Sequence, residues 1–161
     1  MQQTRKSSRL RRAAAGFADR KGGAAIEFAL VSPLLLTLLA GIVEIGMAGY
    51  QAMQVQSAVE AGALYAAQNG ASDLAGVAQA VVNATGTAGI TAVPAPTSFC
   101  GCPKAAGVLS QGSDCTTVCS DGKAPGQYVL VNASLPHQTL VPFLSLPLPA
   151  TLTASTTIRV Q

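Results

Sequence analysis

The sequence predicts an α+β protein: a long N-terminal helix, transmembrane in its first half, packed against a small mostly antiparallel sheet with a disulfide-stapled loop. Three observations predict it. Apolar residues recur with a helical period across residues 24–68 without a break. Two later segments, 127–135 and 152–160, are rich in Val, Ile, Thr and Tyr, the residue types that suit a half-buried pleated surface. Four cysteines, Cys100, Cys102, Cys115 and Cys119, bracket a loop of small and polar residues. The chain of 161 residues therefore divides into a basic head (1–22), a long helix (23–69) and an α+β domain (70–161).

The head carries the positive charge. Seven of the ten basic residues, Arg5, Lys6, Arg9, Arg11, Arg12, Arg20 and Lys21, precede Gly22. Beyond it Lys104, Lys123 and Arg159 face six acids, so the net charge of +3 belongs to the head and the remainder is acidic. A basic cluster can bind nucleic acid, but this one lacks interleaved aromatics and abuts an apolar run, so no nucleic-acid partner is expected. The positive-inside rule instead keeps the head in the cytoplasm and sends the residues beyond the apolar run outward.

The run itself is bounded by Glu27 and Glu44, 17 residues apart. At the helical rise this is about 25 Å, close to the thickness of a hydrocarbon core. Both glutamates can be read as marking its edges. Glu27 is the more telling of the two, because ionisable groups at membrane depth are costly and tend to be functional. An ordinary secretory signal would end in a cleavage site and a change of character, whereas here the helical pattern continues. A lipoprotein signal would need a cysteine after the run, and the first is Cys100.

The order of parts resembles a type IV prepilin, which is cut after a glycine to leave a glutamate as fifth residue. Cutting between Gly22 and Gly23 makes Glu27 the fifth. The Gly16-Phe17 junction would put Lys21 there with no apolar run, and a cut after Gly23 would make Glu27 fourth. Residues 23–36, GAAIEFALVSPLLL, followed by Gly41-Ile42-Val43-Glu44-Ile45-Gly46, resemble the TadE-like proteins, which are minor pilins or pseudopilins of the Tad (Flp) pilus system. The resemblance covers residues 22–70 and returns at 128–131 and 148–160. Gly23 and the early Pro33 depart from ordinary type IV pilins. The resemblance implies processing by a prepilin peptidase, and partnership with other pilins or pseudopilins and with inner-membrane pilus assembly machinery. It further implies a single pass of the bacterial inner membrane, with the C-terminal domain outside or carried into a pilus. Cleavage would create a cation at Gly23, which Glu27 of the same or a neighbouring subunit would meet in a low dielectric and so set register. The carboxylate is also expected in the first turn of the mature helix, where it complements the dipole. The alternative is an uncleaved, membrane-anchored domain that binds an extracytoplasmic ligand or metal.

Alternate steps of four and three from Leu34 give Leu38, Gly41, Ile45, Ala48, Ala52, Val55, Val59, Gly62 and Ala66, none of them polar. This seam has the period of a coiled coil. Its small residues permit close backbone approach, above all in lipid, so partner helices are expected on the membrane half. From Val55 to Ala66 the seam can equally cover the chain's own sheet. Asn69-Gly70 supplies a helix stop, and Ser72-Asp73 caps a short amphipathic helix from Leu74. Residues 90–99 have strand-like composition, which Pro94 and Pro96 confine to an edge or an extended strip.

Four cysteines outside the membrane, in a domain with little apolar area, read as two disulfides. Spacing leaves three connectivities open. The nested one, Cys100 with Cys119 and Cys102 with Cys115, would close a hairpin-like loop and is the preferred expectation. A four-thiolate zinc site is the competing reading, but the usual Cys-x-x-Cys knuckles are absent, and no metal is expected. His137, the single histidine, sits beside Pro136 and reads as a solvated loop residue. No nucleophile has a base beside it, no glycine-rich phosphate loop appears and the acids are scattered, so neither catalysis nor a cofactor is expected. The sequons at Asn83 and Asn132 read as incidental.

Overall fold

The computed structural model describes residues 23–103, 109–112, 115–141 and 147–160, with no side-chain account of 109–111. The basic head, Gly22 included, lies outside the described residues. The chain divides into two compact units, Met1–Glu44 and Ile45–Gln161.

Helix α1, Gly23–Asn69, runs through the boundary between them. Its sequence is rich in Ala, Leu, Ile and Val, and Pro33 is the one proline within it. Proline lacks the N–H that would bond the preceding turn. One turn later the Thr37 hydroxyl donates to the Leu34 carbonyl at 2.8 Å, so its polar group is satisfied inside an apolar stretch. The helix ends where the sequence places the stop: Gly70 has φ +76° and its N–H donates to Ala66 O at 2.8 Å, a left-handed position that suits glycine.

In the second unit α2, Leu74–Asn83, begins at Asp73, whose Oδ1 accepts from the Gly76 N–H at 2.9 Å. Four strands come after it: β1 Thr97–Pro103, β2 Leu109–Gly112, β3 Gly126–Pro136 and β4 Thr151–Arg159. They form one antiparallel sheet in the order β2-β1-β3-β4. β1 is shorter at its start than the strand-like composition of residues 90–99 suggested. Only Thr91 of the earlier stretch pairs, in an isolated bridge to Ser134, and Pro94 and Pro96 lack the N–H a ladder needs. β2 has no counterpart in the sequence reading, because its four residues, Leu-Ser-Gln-Gly, are too few to show a period.

Alternation along β3 sends Val129, Val131, Ala133 and Leu135 into the core. They meet Val55, Ala58, Val59 and Ala66 of α1 and Val77 and Val81 of α2. Gly62 lies at a close approach: a Cβ there would stand 2.5 Å from Val81 Cγ2 and 2.8 Å from Val131 Cγ1. The outer part of the small-residue seam therefore packs against the chain's own sheet and second helix.

Candidate functional site

The described residues of the first unit form an apolar, largely exposed helix. Among residues 23–43 none is buried, and Phe28, Leu30, Leu34, Leu36 and Ile42 are each more than half exposed. Large apolar side chains in water on this scale are unfavourable at about 25 cal/mol per Å². A helix of this length and composition suffices to cross a membrane, and lipid or other helices resolve the exposure.

Glu27 sits within this apolar surface. It is exposed, and among the described residues it makes no ion pair or hydrogen bond. As the fifth residue of a helix that begins at Gly23 it falls in the second turn, and the first turn holds no acid. This corrects the expected first-turn dipole contact, since that effect fades beyond one turn. Glu44, read as the other edge of the run, is 1% exposed.

The seam residues do not behave alike. Gly41 is half-buried, whereas Ile45 is 58% exposed and Ala52 is exposed as well. In the second unit the buried line runs instead through Ala48, Val55, Ala58, Val59, Gly62 and Ala66, with half-buried Gln51 among them. Gln51 is held there by His137, whose Nδ1 lies 2.6 Å from Gln51 Oε1. His137 is thus not a solvated loop residue. Its ring is half-buried and its Nε2 is shielded from solvent. Ala48, Val55 and Gly62 belong to the apolar seam, while Gln51 and Ala58 sit one position before its Ala52 and Val59; the polar Gln51 on that side could have flagged this contact.

All four cysteines are oxidised, as Cys100–Cys115 and Cys102–Cys119. The pairing is interleaved, not nested. β2 already supplies the antiparallel return after β1, pairing Gly112 opposite Cys100. The segment that carries Cys115 and Cys119 then comes back in the direction of β1, so the first cysteine meets the third and the second meets the fourth. Cys100 and Cys102, two residues apart, share one face of β1 and staple that segment to it. With every cysteine bonded, the zinc reading has no thiolates to use; among the described residues no cluster of three metal-ligating side chains occurs.

On the face of the sheet away from the core, Phe99 stacks on its register partner Tyr128 with ring centroids 5.7 Å apart. Farther along, Asn132, Thr153, Ser155, Val93 and Pro94 line a cavity of about 300 Å³. The sequon at Asn132 is unusable for glycosylation in the folded chain, since that residue is 9% exposed.

Among the described residues one apolar helix is long enough to cross a membrane, which fits a single-pass membrane anchor that carries a disulfide-stapled α+β unit. Residues 22–64 match the family described as TadE-like protein, and the match covers most of α1. The likeness is to this segment, about a quarter of the chain. No curated protein and no solved structure matches the chain.

Proposed function

We propose that the protein is a prepilin-like minor pilin or pseudopilin of the Tad pilus. In this reading the basic head stays in the cytoplasm, prepilin peptidase cuts between Gly22 and Gly23, and the mature chain spans the inner membrane through the first half of α1. The domain from residue 70 onward is displayed outside, where its disulfides form. Other pilins or pseudopilins of the same system pack on the apolar helix, and the inner-membrane pilus machinery takes up the assembled subunits. Gly41, Ile45 and Ala52, small or exposed, are the positions at which neighbouring helices approach, whereas Ala48 of the same seam is covered by the chain itself.

The single observation that carries this reading is Glu27: an exposed carboxylate with no described partner, inside an apolar helix that matches the TadE-like family. A charge within an apolar spanning segment is costly unless a counter-ion meets it. The new amino terminus at Gly23 is such a counter-ion and exists only after processing. Replacement Glu27→Gln removes the charge and keeps the shape. The variant is expected in the membrane fraction at normal level but depleted from sheared pili or from the assembly complex. Undiminished incorporation would overturn the register role of Glu27.

A further inference from the structure

Two contacts fix the direction in which β3 runs along α1. A Cβ on Gly62 would collide with Val131, whereas Gln51, earlier in the helix, meets His137 just after β3 ends. The Pro136 end of the strand therefore lies by Gln51, about 9 Å of helical rise from Ile45, where the α1 portion of the second unit begins. Ile45 follows directly on the apolar run bounded by Glu27 and Glu44.

The connection from β3 to β4 leaves and returns at that same level. His137 N–H donates to Ala150 O at 2.9 Å, so the loop between them is closed at its base. Of its described residues Gln138, Thr139, Leu140, Pro147 and Pro149 are exposed, and the large apolar side chain of Leu140 is 56% exposed. On α1 the first turns of the unit expose Ile45, Tyr50 and Met53 in the same way.

Charge is missing from this end. No Asp, Glu, Lys or Arg occurs from Ala124 to Ile158. Among the described residues of the unit the charged side chains lie elsewhere. Asp121 and Lys123 lead into the opposite end of β3 at Gly126, and Arg159 stands opposite Tyr128 in register. Asp73 follows the end of α1, and Glu60 lies on α1 beyond Gln51. With 11 residues β3 separates its two ends by about 33 Å, well beyond a Debye length.

An uncharged end with exposed Leu, Ile and Met side chains suits the boundary between lipid headgroups and acyl chains. Tyrosine is enriched there, because its ring is apolar and its hydroxyl is wet. A soluble partner would cover the same side chains, but chain continuity holds this end of the unit next to the apolar run, so lipid is the partner already within reach.

We propose that the loop between β3 and β4 docks on the surface of the membrane that α1 crosses, on the side where the second unit lies. Leu140 enters the headgroup–acyl boundary and Tyr50 sits at headgroup level. Neutral lipid suffices, since this end offers no cation to an anionic headgroup. The proposal rests on the single-pass reading of α1, and on neither the cut at Gly22 nor the pilus.

The chain has no tryptophan, so one introduced residue reports alone. Full-length Leu140→Trp is placed in phosphatidylcholine nanodiscs, a single chain to a disc, with lipid brominated near the top of the acyl chains or left unbrominated. Bromine should lower its emission about twofold, and acrylamide should quench it little. Thr139→Trp should behave alike, and carries the test if Leu140→Trp fails to fold. Val118→Trp, 61% exposed in the loop that leads to Lys123, should show the reverse. Leu39→Trp, within the apolar run, should be quenched by bromine because α1 spans the lipid.

A response of Leu140→Trp and Thr139→Trp like that of Val118→Trp, with Leu39→Trp still quenched by bromine, would overturn the docking and leave the single pass standing. If Leu39→Trp also escapes bromine, the single-pass reading fails and the docking with it. Shielding of Leu140→Trp from both quenchers would mean that protein covers the loop, and would overturn lipid as its occupant.

Discussion

The Tyr65 hydroxyl donates to Asp73 Oδ2 at 2.7 Å while Asp73 Oδ1 caps α2 at Gly76, so one carboxylate ties the end of α1 to the start of α2. The tyrosine hydroxyl first, and the Gly76 N–H second, hold the Asp73 carboxyl below its ordinary 3.8. Its contribution is present above that value and disappears as pH falls through the folded one. Tyr65 is held above its ordinary 10.0, chiefly by the same bond, so its contribution is present below that value and disappears as pH rises through the folded one. Tyr65→Phe should therefore lower the melting temperature between about pH 5 and pH 9 and converge on wild type at either extreme. Thermal unfolding of the detergent-solubilised protein across pH checks this; a Tm gap that is the same at pH 2 and pH 7 would contradict it.

At the scale of elements, α1 closely approaches α2 and β3 at Gly62. Gly62→Leu would drive a side chain into Val81 and Val131 and should destabilise the fold by about 3 kcal/mol, as overpacked cores do, whereas Gly49→Leu, with open space around it, should have little effect. Chemical denaturation of the two variants separates them. The disulfides close loops of 15 and 17 residues, each of which limits the unfolded chain by about 3 kcal/mol. Non-reducing peptide mapping should recover Cys100 with Cys115 and Cys102 with Cys119, and recovery of Cys100 with Cys119 would contradict the interleaved path.

Much of this was legible in the sequence. The period of α1, its glycine stop, the Asp73 cap and the outlines of β3 and β4 rest on local chemistry, and all are where that chemistry places them. The cysteine pairing was not legible, because it depends on β2, a four-residue strand too short to show a pattern. The role of His137 was equally hidden, since its partner Gln51 lies 86 residues away and only the fold brings them together. The seam was legible where it meets the chain's own core, since its members Ala48, Val55, Val59, Gly62 and Ala66 are all buried; Ile45 and Ala52 of the same series stay exposed, and half-buried Gln51 takes a place that the apolar pattern did not mark.

In the proposed reading, the basic head, the apolar helix and the disulfide-stapled domain have separate tasks that a single cut connects. Removal of the head would take away seven basic residues and create a cation for Glu27 to meet. The helix that remains has an apolar surface for lipid and neighbouring helices, and the disulfides suit a domain that folds outside the reducing cytoplasm. The mass of the protein's amino-terminal peptide, compared in cells with and without prepilin peptidase, tests this account most directly. It predicts a mature chain beginning at Gly23 only where the peptidase is present; an amino terminus at Met1 in both would contradict it.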